Sequence, residues 1–131
     1  MRTFALIAAL ACFGLTTQAQ QNATTTAVPA KTAQDPHKEA VRTLSGQLKD
    51  ALSMVQQLSL ANNKEMQAGN AADSQRFGAL RVELAGVMNS LDKSLTEVNS
   101  ATPETFEQAR TEALANIASA EAVKLKMKEG R

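Results

Sequence analysis

The stretch Val41-Arg42-Thr43-Leu44-Ser45-Gly46-Gln47-Leu48-Lys49-Asp50-Ala51-Leu52-Ser53-Met54-Val55-Gln56-Gln57-Leu58 decides the fold. Its apolar residues fall at 41, 44, 48, 51, 55 and 58. Steps alternating between three and four place one narrow apolar stripe on a helix, the spacing of a coiled-coil seam. Leu52 and Met54 flank that stripe. Upstream, Asp35-Pro36 reads as a helix start: an aspartate to accept a free backbone N–H, then proline at the first helical position. Downstream, Asn62 and Asn63 weaken the pattern and Gly69-Asn70 ends it.

The seam returns in a second segment that begins near Asn70 or Asp73. It runs through Phe77, Leu80, Leu84, Val87, Leu91, Ser94 or Leu95, and Val98. Gly78 and Gly86 lie off it, and each costs a helix roughly 0.5–1 kcal/mol relative to alanine. Asn99-Ser100-Ala101-Thr102 is the next break. Thr102-Pro103-Glu104 then offers a capping hydroxyl, a first-turn proline and an acid facing the positive helix end. The spacing predicts a third helix from Pro103 to about Glu129, with a face of Phe106, Ala109, Ala113, Leu114, Ile117, Ala120, Val123 and Met127. Lys124, Lys126 and Lys128 suit its negative end, and Gly130 stops it.

Three helices of similar length, each on the order of 40–47 Å, joined by short breaks predict an all-α, antiparallel three-helix bundle or helical coiled coil, residues 35–131. Two other arrangements use the same pattern. Fewer, longer helices could pair with another chain, or Gly69-Asn70 could fail to turn and leave the first two helices continuous.

Ahead of this domain the chain changes character twice. Met1-Arg2-Thr3, the apolar run Phe4–Leu15 and the small residues Thr17 and Ala19 form a secretory pattern, so residues 1–19 are read as a signal peptide cleaved after Ala19. A lipoprotein signal acting at Cys12 is the alternative, opposed by Ala9 where a large aliphatic is usual. The run is shorter than the roughly 20 apolar residues of a spanning helix. Residues 20–34, with Val28 as the one large apolar residue, are expected to be a disordered, flexible linker. Asn22-Ala23-Thr24 matches the glycosylation pattern, which has meaning only in a eukaryotic source. The expectation is an exported protein, periplasmic or secreted, bacterial rather than eukaryotic.

Loss of the signal removes Cys12, and with it any disulfide, thiol nucleophile or cysteine-bound metal. It also removes Arg2, leaving 13 basic against 13 acidic residues. A balanced charge and the absence of Trp and Tyr, with only Phe77 and Phe106 as rings, argue against nucleic acid and sugar stacking. Only 25 of the 112 residues from Gln20 onward are large aliphatic, Met or Phe, a thin core that self-association or a protein partner through the Leu/Val/Ala seams could complete.

Candidate chemistry is sparse. His37 is the single histidine, sits at a helix start without a fixed neighbour, and is read as a solvated surface residue. One histidine cannot hold zinc. The carboxylates, Asp92 and Glu97 among them, form neither a di-iron nor a calcium pattern and are read as surface charge. No phosphate-binding glycine loop precedes a Lys-Ser or Lys-Thr pair. Glu39 with Arg42, Asp73 with Arg76, Glu107 with Arg110 and Glu121 with Lys124 are expected as surface ion pairs. Met54, Met66, Met88 and Met127 are read as core filler rather than as an adaptable binding face. Lys124, Lys126, Lys128 and Arg131 spread around the last helix and offer weak grounds for membrane-surface contact. No catalytic, cofactor-binding or metal-ligating residue is assigned.

Ala101-Thr102-Pro103-Glu104-Thr105 resembles the Leu-Thr-Pro-x-Gln element of Spy-type periplasmic chaperones, small helical exported proteins. Ala101 stands for Leu and Thr105 for Gln; the shared positions are those of a general helix start, and no family is assigned on them. The expected function is a non-enzymatic structural or protein-interaction coiled-coil protein. The alternative is a periplasmic helical chaperone-like or lipid- and membrane-surface-binding module.

Overall fold

The computed structural model describes residues 35–69 and 71–130. The expected signal peptide, the linker, Cys12 and Arg131 lie outside the described residues. The described chain forms three helices: α1 (Pro36–Ala68), α2 (Ala71–Ser100) and α3 (Phe106–Glu129). Each packs against the other two, as a three-helix bundle. None of them is long and apolar enough to cross a membrane.

The direction of packing is fixed by side chains that reach between helices. Ser45, early in α1, donates to Asn99 Oδ1 late in α2 at 2.7 Å. Asn62, late in α1, donates through Nδ2 to the Phe77 carbonyl early in α2 at 2.9 Å. Had the two helices run on as one, that fifteen-residue separation would span about 22 Å. The continuous arrangement is therefore excluded, and the chain reverses at Gly69. Between α2 and α3, Asn116 Nδ2 donates to Ser94 Oγ (2.8 Å) and Arg76 to the Gly130 carbonyl (2.6 Å). Both neighbouring pairs are thus antiparallel.

Gly69 is needed for room rather than for an unusual backbone angle, since no described residue has a positive φ. A Cβ there would stand 3.0 Å from the Glu65 carbonyl oxygen and 3.3 Å from Asp73 Cβ. The Gly69 N–H itself donates to that same Glu65 oxygen at 2.8 Å, which draws the turn tight.

The core follows the expected stripes. Leu44, Leu48, Ala51 and Val55 from α1 meet Leu80, Leu84, Leu91 and Val98 from α2, and Phe106, Ala109, Ala113, Ala120, Val123 and Met127 from α3. Val41, Leu58, Phe77, Val87 and Ile117 are half-buried around them. Gly78 and Gly86 sit off the contact, with open space where a Cβ would project.

Two expectations change. Leu114, placed on the inner face from sequence, is 45% exposed. The inner stripe of α3 steps from Ala113 past Asn116 and Ile117 to Ala120, which turns position 114 outward. The third helix also begins at Phe106, not Pro103. Thr102 does not cap it through its hydroxyl. Instead the Thr102 carbonyl accepts from both Thr105 N–H (3.1 Å) and Phe106 N–H (2.9 Å), while the Thr105 hydroxyl accepts from Thr102 N–H (3.0 Å). That reach back from the fourth residue to the first is half of a capping box.

Candidate functional site

Among the described residues, three polar ones are buried in the stripes: Ser45, Asn62 and Ser94. Their types argue for exposure, and only partners on the neighbouring helix make burial tolerable. Ser45 is met by Asn99 and Ser94 by Asn116. Asn62 occupies the next seam position after Val55 and Leu58, so the interruption expected at Asn62 is a continuation with a polar residue. Its Nδ2 bonds Phe77, and its buried Oδ1 has no hydrogen-bond partner.

His37 is half-buried rather than solvated. Its Nε2 lies 3.0 Å from the Ala101 carbonyl oxygen, so that nitrogen is the donor in this bond. Its ring stands edge-on to Phe106, centroids 5.3 Å apart at 90°. The histidine therefore joins the start of α1 to the α2–α3 connection. Nearby, the Glu104 carboxyl is held below the ordinary glutamate value, first by a hydrogen bond from the Thr102 side chain, then by its own backbone N–H and by the charge of His37.

Of the expected ion pairs, Glu107–Arg110 (3.4 Å) and Glu121–Lys124 (3.0 Å) form. Glu39–Arg42 and Asp73–Arg76 do not appear among the described ion pairs. Arg76 is drawn instead to the Gly130 carbonyl at the end of α3. Lys126 bonds Glu83 on α2, and Lys93 pairs with Glu97 one turn on. Lys128 is exposed, so the lysines at the end of α3 form no cluster. Met127 is buried, Met54 and Met88 pack half-buried against the core, and Met66 lines an open α1–α2 groove with Gly78, Arg81 and Val82.

Besides exposed Leu60 on α1 and Val82 on α2, three surfaces can touch something else. On α3, Leu114 (45% exposed), Ala118 and Leu125 (56% exposed) fall within about 40° of one another around the helix. The second lies along α1, where Lys38, Arg42 and Lys49 line an open groove with Ser45, Gly46 and Asn99. A third groove, between α2 and α3, carries Glu97 and Glu112 beside Ser94 and Asn116. Among the described residues, no group of three or more His, Cys, Asp or Glu is gathered to hold a metal ion. Compared with known protein families, curated proteins and solved structures, the chain matches none.

Proposed function

We propose that this chain is an exported, non-enzymatic interaction module whose bundle presents the outer side of α3 to a protein partner. The observation that carries it is the exposed Leu114, Ala118 and Leu125, with Glu107 and Glu121 on the same face and paired to Arg110 and Lys124. An apolar centre with a charged, hydrated rim is the usual anatomy of a protein interface. The inner stripes, in contrast, are occupied within the chain, where Leu48, Val55, Leu84 and Leu91 bury one another.

The test combines address and contact. N-terminal sequencing of the protein from its own cells should begin at Gln20, as the signal pattern predicts. A photo-crosslinking residue at position 114 or 125 should give one defined adduct in those cells, and one at exposed position 43 should not. Sedimentation of the purified chain separates self-association from a different partner. No adduct at 114 or 125, with a strictly monomeric chain, would remove the proposal.

A further inference from the structure

The cations of this bundle are unevenly paired. On α2 and α3 four of seven are ion-paired, Lys93 with Glu97, Arg110 with Glu107, Lys124 with Glu121 and Lys126 with Glu83, while Arg76, Arg81 and Lys128 are in no ion pair among the described residues. In the first half of α1 none is. Lys38, Arg42 and Lys49 are exposed and make no ion pair among the described residues, although Glu39 lies three residues from Arg42. Positions 38, 42 and 49 fall within about 40° of one another around the helix, while 39 and 50 lie roughly 60–120° from them.

The three cations border one open groove of about 670 Å³, lined also by His37, Val41, Ser45 and Asn99, with no carboxylate in its wall. Gly46 leaves open space beside Arg42 and Lys49, because no atom lies within 4 Å of where its Cβ would be. The groove begins at His37 and Lys38, in the first turn of α1, where unpaired backbone N–H groups add positive potential.

We infer that this groove binds a linear polyanion, a chain bearing repeated phosphate or sulfate groups. The length selects the ligand. From Lys38 to Lys49 is about 16 Å along the axis, too far for one compact anion to touch all three cations. A chain with an anion every few ångströms meets each in turn. His37 is the one ring in the groove wall and is already engaged edge-on with Phe106, which leaves charge as the basis of recognition.

Isothermal titration of the protein purified from its own cells with inorganic polyphosphate tests this. Lys38→Gln/Arg42→Gln/Lys49→Gln removes the stripe and keeps good helix formers at exposed positions. Lys93→Gln/Lys124→Gln/Lys128→Gln removes the same charge elsewhere. The first variant should weaken binding at least tenfold and the second by less than threefold. With roughly 0.7 counterion released per phosphate, three contacts make a change from about 50 to about 200 mM salt cost roughly 20-fold in affinity. Equal weakening by both variants would show net charge alone at work and overturn the inference. So would no binding at all, or binding confined to phosphatidylglycerol vesicles in a parallel co-sedimentation.

Discussion

Asn62 donates its amide hydrogen to the carbonyl oxygen of Phe77 across the α1–α2 contact, from a side chain that is fully buried. The bond pairs one level of α1 with one level of α2. The other amide atom, Oδ1, goes without a partner in the core. A single polar residue at a seam position costs stability and specifies register.

Replacing it separates those two effects. A buried unmet acceptor costs about 1–3 kcal/mol, so Asn62→Leu, similar in size, should raise the unfolding free energy by about 1 kcal/mol in urea titration. The same change should admit oligomers in sedimentation, because the α1–α2 contact loses one of the polar pairings that distinguish registers. A less stable, strictly monomeric variant would contradict both expectations.

The glycines divide by the space around them. Gly78→Ala and Gly86→Ala add a methyl group to open space in a helix interior, and each should stabilise by about 0.5–1 kcal/mol. Gly69→Ala puts a methyl group against the Glu65 carbonyl and should destabilise by about 1 kcal/mol or more. Thermal midpoints of the three variants should therefore move in opposite directions.

His37→Ala should cost about 1–3 kcal/mol, combining an edge-on ring contact of roughly 0.5–1.5 with a part-buried hydrogen bond of similar worth. Chemical denaturation reads the loss. An unchanged midpoint would mean that the start of α1 is not tied to the α2–α3 connection through this residue.

Glu104 supplies a pH signature. Its carboxyl is held below the ordinary glutamate value in the folded chain, so the unfolded chain binds the proton more readily. The associated stability is therefore present above the ordinary glutamate range and is lost as pH falls through the lower folded value. A carboxyl-carbon NMR titration should place the Glu104 midpoint below that of the unfolded chain, and Thr102→Val should raise it by removing the largest cause. A midpoint at or above the unfolded one would contradict this.

The architecture was legible in the sequence wherever large aliphatic residues repeat. Leu44, Leu48, Val55, Leu80, Leu84, Leu91 and Val98 are where the three-four spacing puts them. What escaped was set by partners from elsewhere in the chain. The sequence left Ser94 and Leu95 open for one seam position, and Ser94 takes it because Asn116 on α3 meets its hydroxyl. His37 is packed because Phe106, distant in sequence, arrives beside it. Leu114 reads as core by type alone, since alanines blur the direction of the apolar face of α3. The cationic groove was illegible for the opposite reason. Neighbouring charges suggest pairing, and only side-chain positions reveal that Arg42 and Glu39 stay apart.

Three of the six buried residues of α3 are alanines: Ala109, Ala113 and Ala120. An alanine removes less apolar surface from water than a leucine, so α3 is held less firmly than α1 and α2 hold each other. The consequence is an order of opening. The third helix should swing free before the rest of the bundle unfolds, and its amides should exchange with solvent fastest. A ligand on the outer side of α3 that binds only the closed state would slow that exchange, so occupancy of the outer stripe could be read from the exchange rates of the α3 amides.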